Sequence, residues 1–230
     1  MKICSVRKAF TLAEVLITLG IIGVVSALVL NPLVVNYQKK STVVSLKKVY
    51  TELAQAVQLA KLEYGDMEQW DYSLTGSQFF KKYLFPFVTI NSKKICSGKM
   101  FYRLSGEFEN NYFPLNNMAI YTLTTGAQVI LSYSTSSDTS KRKIVVVDIN
   151  GLKSPNKLGR DVFVFEVNPK GLVPSYYDDF EDYKINMKSR EVLMNGPSMN
   201  AYQCNKRARG MWCAALIMQD GWQIKDDYPW

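Results

Sequence analysis

Between Phe10 and Val35 one side chain ionises, the carboxylate of Glu14. From Val15 to Val35 no charge appears, and none of the 24 residues after Glu14 is a cation. If this run crosses a lipid bilayer, an unpartnered carboxylate at its edge costs on the order of a few kcal/mol. Two kinds of partner are open to it. One is local: Thr11 three residues earlier has the spacing of a capping box, in which a hydroxyl and a carboxylate each satisfy a backbone N–H of the first helical turn. The other is a positive charge supplied by a different chain.

A second set of reactive groups is the cysteines, Cys4, Cys96, Cys204 and Cys213. Cys204 and Cys213 are nine positions apart with Gly210 between them. They read as a disulfide in an oxidising compartment, with two small buried thiols as the alternative. Cys96 is left over. The chain has no histidine and no CxxC pair, which argues against zinc. A third set is Asp148, Asn150 and Asp161, in a stretch that also carries Gly151, Pro155, Asn156 and Gly159. Oxygen ligands in a loop suit calcium. The same residues suit tight turns, where Gly and Asn accept positive φ and Asp bonds to nearby amides. Catalysis finds no support. Without histidine there is no Ser-His or Cys-His arrangement, and no P-loop, GxGxxG or HExxH is present. The pairs Asp178-Asp179 and Asp226-Asp227 lie in polar stretches and read as solvated.

The elements that must carry these groups follow from hydropathy. The chain has 230 residues, 47% apolar and 21% charged, a composition that suits a folded domain plus an appendage. The appendage is the run Phe10–Val35. Its 26 residues form a helix of about 39 Å, enough for a hydrocarbon core of about 30 Å. Lys2, Arg7 and Lys8 precede it, which places residues 1–9 in the cytoplasm and the rest of the chain beyond the membrane. An ordinary secretory signal cut after Val25-Ser26-Ala27 is the rival reading, and Glu14 in the apolar run counts against it. Asn31-Pro32, Gly20 and Gly23 weaken the helix locally.

Helical spacing resumes after Pro32. Leu46, Val49, Tyr50, Leu53, Val57 and Ala60 form one apolar stripe, with Lys47, Lys48, Glu52, Gln55 and Lys61 largely off it. The helix is expected to end at Tyr64-Gly65. A continuous helix from 11 to 64 measures roughly 80 Å. Residues 66–112 read as loop with short helical pieces, one of them Ser77–Phe85, and the aromatics there read as core. Beyond them, Ala119–Thr124 and Ala127–Tyr133 flank Thr125-Gly126 as a hairpin, and Lys143–Val147 and Val162–Val167 are β-branched. That is an antiparallel sheet of about four strands. The fold class is α+β: a long N-terminal helix, half apolar and half amphipathic, packed on an antiparallel head. The divisions are 1–9, 10–35, 36–64 and 65–230.

Lys8-Ala9 followed by Phe10-Thr11-Leu12-Ala13-Glu14 and a full apolar span resembles the cleavage and methylation signal of prepilins, the precursors of type IV pilins and type II secretion pseudopilins. The resemblance implies that a prepilin peptidase cuts between Ala9 and Phe10 and methylates the Phe10 amine. It implies that Glu14 offsets the amine of a neighbouring subunit during filament assembly at an inner-membrane platform. Ala9 stands where the family usually has Gly, and Pro32 lies one position later than the usual helix-softening proline. Pilins often close a C-terminal loop with a disulfide, and the stretch from Cys204 to Trp230 looks like such a tail. Asp148 to Asp161 likewise resembles a segment in the heads of pilin-like proteins. Trp222, Tyr228 and Trp230 are expected to lock the end of the chain onto the head. The net charge of +8 leaves a further role open: a minor pilin whose head binds DNA or a surface. No nucleic-acid motif accompanies its scattered lysines.

Overall fold

The computed structural model describes residues 10–96, 100–109, 118–132, 141–151, 153–175, 189–196 and 201–230. Helix α1 runs from Leu12 to Tyr64. It starts where Thr11 and Glu14 satisfy the first-turn amides and passes through Pro32. It stops at Gly65, whose φ of +78° leaves the helical region while its N–H still donates to the Lys61 carbonyl at 3.0 Å. The chain divides into two compact units, one ending at Ser41 and the other spanning Thr42–Trp230.

In the first unit the apolar side chains lie exposed. Phe10 and Leu12 are more than three-quarters accessible, and Leu16, Ile17, Ile21, Val24 and Leu28 all lie open. This part of α1 is long and apolar enough to cross a membrane, and none of it is buried.

In the second unit the stripe is buried. Leu46, Val49, Leu53, Val57 and Ala60 are at most 2% accessible, and Ala56, between the expected positions, joins them. Fully burying a Leu or Val side chain contributes about 1.5–3 kcal/mol. Tyr50, half-buried, reaches the sheet: its ring lies 5.6 Å from that of Phe165, and its hydroxyl donates to the Leu172 carbonyl at 3.3 Å.

The sheet has six antiparallel strands in chain order: β1 (Ile90–Cys96), β2 (Met118–Leu123), β3 (Gln128–Ser132), β4 (Lys143–Asp148), β5 (Val162–Asn168) and β6 (Gly171–Pro174). The expected hairpin is β2–β3. Gly126 takes φ +84° in its turn, and Leu123 N–H donates to the Ala127 carbonyl at 2.9 Å. The count of about four strands is corrected to six. β1 lies in the stretch read as loop, and β6 was too short to register. β1 is an outer strand, and from Asn91 to Ile95 its residues are exposed. With water on both sides it needs no alternating pattern. β4 and β5 are almost wholly buried, so they read as apolar runs.

Among the described residues three short α-helices and two 3-10 turns, Met67–Gln69 and Phe85–Phe87, complete the unit. α2 (Gly76–Tyr83) lies where a helix was expected and carries a full capping box from Thr75 and Gln78. α3 spans Arg190–Asn195, and α4 spans Cys213–Gln219. Most of the apolar stretch Met211–Met218 thus lies in α4. The aromatics between Trp70 and Phe87 pack as core or against it: Phe79, Phe80 and Tyr83 are buried, and Trp70 stacks on Tyr83 at 4.5 Å between centroids.

Candidate functional site

At the start of α1 the local partner of Glu14 is present. Glu14 N–H donates to Thr11 Oγ1 at 3.2 Å, and Thr11 N–H donates to Glu14 Oε2 at 2.8 Å. The Thr11 hydroxyl donates to the same oxygen at 2.9 Å. The box holds the carboxylate at the helix start, one turn from Phe10, which lies exposed. A capping box fills one carboxylate oxygen and leaves the side chain at the surface. It therefore does not exclude a second cation from another chain. Ala9 and Cys4 lie outside the described residues.

In the second unit Cys204 and Cys213 are joined in a disulfide, with both residues fully buried. It closes the loop 205–212 against the head. Gly159 passes directly beside it: a Cβ there would lie 2.6 Å from Cys213 Sγ, and the residue sits at φ +78°. The last residues fasten onto the same place. Tyr228 Oη donates to the Gly159 carbonyl at 2.5 Å, and the Arg160 guanidinium lies 4.2 Å from the centre of the Trp230 ring. Complete burial pushes the Tyr228 hydroxyl far above the ordinary tyrosine range, so it stays a donor. Trp222 lies 5.3 Å from Tyr50 on α1. Cys96 ends β1, its backbone paired with Met118.

The structure brings Asp148, Asn150 and Asp161 together. Asp148 Oδ1 accepts from the amides of Asn150 (3.1 Å) and Gly151 (3.0 Å). Asp161 Oδ2 accepts from Asn150 Nδ2 (3.1 Å) and the Asn156 amide (2.9 Å), and its Oδ1 from the Lys157 amide (2.6 Å). Burial raises the Asp161 carboxyl above its ordinary range, against the pull of these N–H bonds. Calcium takes about six to eight oxygen ligands. Here the carboxylates face N–H donors, an arrangement that holds turns. Asn156 and Gly151, at φ +47° and +70°, are the turn residues.

Two charged clusters escaped sequence reading. Arg190 bonds through Nε to Asp220 (2.8 Å) and through both terminal nitrogens to Asp227 (2.5 and 2.6 Å), tying α3 to the tail. Asp227 is thus an ion-pair partner as well as exposed. Asp178 and Asp179 lie outside the described residues. In the second cluster the fully buried Glu109 side chain receives Arg103 Nε at 3.0 Å and Arg209 Nη1 at 2.8 Å. Glu109 and Arg209 are 100 residues apart, and no local spacing announces such a pair.

Residues 4–30 match the prokaryotic N-terminal methylation motif, the cleavage and methylation motif of type IV pilins and pseudopilins. With a long N-terminal helix and an antiparallel sheet behind it, this makes the chain type IV pilin-like. The matched segment takes in Val25-Ser26-Ala27, the site of the rival secretory cut. Residues 32–230 match a family of unknown function (DUF6613), and the chain belongs to that family. No curated protein and no solved structure matches it.

Proposed function

We propose that the chain is a structural subunit of a type IV pilus or type II secretion-like filament. A prepilin peptidase cuts between Ala9 and Phe10 and methylates the Phe10 amine. The apolar part of α1 holds the subunit in the inner membrane as a single pass, with the leader cytoplasmic and the head outside. From there it joins other subunits at an assembly platform. The observation that carries this reading is the exposed apolar run of α1, marked at its start by one carboxylate within the methylation motif. Such a surface is unstable in water, so lipid or neighbouring helices must cover it. The Phe10 amine released by cleavage is a cation of the right sign for Glu14 of the next subunit, and in an apolar bundle that pairing decides which subunits seat.

The test is N-terminal sequencing of membrane-extracted protein together with a Glu14→Ala variant. Phe10 is expected as the first residue. The variant is expected to insert and be cleaved normally but to enter filaments at about a tenth of the wild-type level or less, as befits a partner lost in a low-dielectric bundle. A mature protein that keeps residues 1–9, or normal incorporation of the variant, would overturn the reading. Residues 148–161 serve this function as a pair of turns. A chelator is therefore expected to leave the Tm of the protein unchanged.

A further inference from the structure

Beside the buried Glu109 lies a polar cavity of about 250 Å³, lined by Arg103, Ser105, Glu107, Ala201, Arg207, Ala208 and Arg209. Three guanidiniums line it or back it, against the carboxylates of Glu107 and Glu109. A guanidinium has five N–H donors in a planar fork. Arg103 spends Nε on Glu109 and Nη1 on Glu107, and Arg209 spends Nη1 on Glu109. Among the described residues neither Arg103 Nη2 nor the exposed Arg207 side chain makes a hydrogen bond, so donors and net positive charge are left over at the cavity.

The two glutamates differ. Glu109 has a fully buried side chain and holds the two arginines in place from behind. Glu107 is 71% accessible, and among the described residues its carboxylate pairs with Arg103, at 2.8 Å. It is a tethered carboxylate already seated on the guanidinium, with its own oxygens open to water, where ion pairs are weak. An incoming oxyanion displaces it at little cost. The positive surroundings extend further. After burial, the proximity of Arg160 and Lys206 is what pushes the Lys157 ammonium below its usual range, and Lys206 precedes Arg207 in the chain. The loop that carries Arg207 and Arg209 is the one closed by the Cys204–Cys213 disulfide, so these donors are positioned before any ligand arrives.

We infer that this cavity is a binding site for a small oxyanion, a phosphate or carboxylate group, held by Arg103, Arg207 and Arg209 with Glu107 as the displaceable occupant. The inference stands apart from the filament reading and does not depend on assembly.

The test uses the full chain in detergent, titrated calorimetrically with inorganic phosphate and, separately, with acetate, at constant ionic strength set with chloride. Saturable one-site binding is expected. Arg207→Ala is expected to weaken it about tenfold, the loss of one charge-assisted contact. Because Arg207 is exposed, its Tm should match the wild type. Glu107→Gln is expected to bind several-fold tighter, since the internal competitor is gone. Tighter phosphate than acetate identifies a phosphate site, and the reverse a carboxylate site. No saturable binding of either anion overturns the inference. So does binding that neither variant alters.

Discussion

Helix α1 contains two apolar surfaces with opposite fates. Leu16, Ile17 and Leu28 in the first unit are more than half accessible, whereas Leu46, Leu53 and Val57 in the second are at most 1% accessible. The residue types are the same, and the difference lies in the pattern. In the second unit apolar residues recur every three or four positions, so one stripe is buried while Lys47, Lys48 and Gln55 stay in solvent. In the first unit apolar residues occupy every face, and no stripe can bury them all. A helix that is apolar all round has lipid or other helices as its environment, and its stability is not a property of this chain alone.

Paired substitutions sharpen this comparison. Leu53→Ala is expected to lower the unfolding free energy of detergent-solubilised protein by about 2–5 kcal/mol, the range for a buried leucine cut back to alanine. Leu16→Ala in the same assay is expected to change it by less than about 0.5 kcal/mol. Denaturant melts followed by tryptophan fluorescence read both. An equal loss from the two variants would break the contrast. Next in size is the disulfide: replacing Cys204 and Cys213 by serine is expected to cost about 2–3 kcal/mol, the loop-closure value for a loop this short, with insertion of α1 unaffected.

The smallest effect concerns pH. The hydrogen bonds from Arg190 hold the Asp227 carboxyl below its ordinary range. A depressed folded-state value means the pairing stabilises the head above about pH 4, the unfolded value, and that this contribution fades as the pH falls through the lower folded value. Asp227→Asn removes it at every pH. The variant's Tm should therefore lie slightly below wild type at pH 7, and the two should converge on acidification.

The same contrast explains what was legible in the sequence. The Phe10–Glu14 signal and the span behind it were readable because a membrane imposes a one-dimensional rule: a charge is either absent or needs an explanation. β4 and β5 were readable because burial on both faces demands β-branched and aromatic runs. β1, with the sequence INSKKIC, was missed because an edge strand in water has no face to protect, and β6 because four residues containing Gly and Pro carry too little pattern. The Arg103–Glu109–Arg209 cluster was invisible for another reason. Each residue looks like an ordinary surface charge until the sheet and the disulfide loop bring distant segments together.

The outer strand β1 also bears on life in a crowd. Its middle residues are Lys93 and Lys94. Were two heads to meet edge to edge in antiparallel fashion, these lysines would face their own copies, and like charges directly opposite repel. In the proposed filament, heads held at high local density would thereby be discouraged from pairing through this edge.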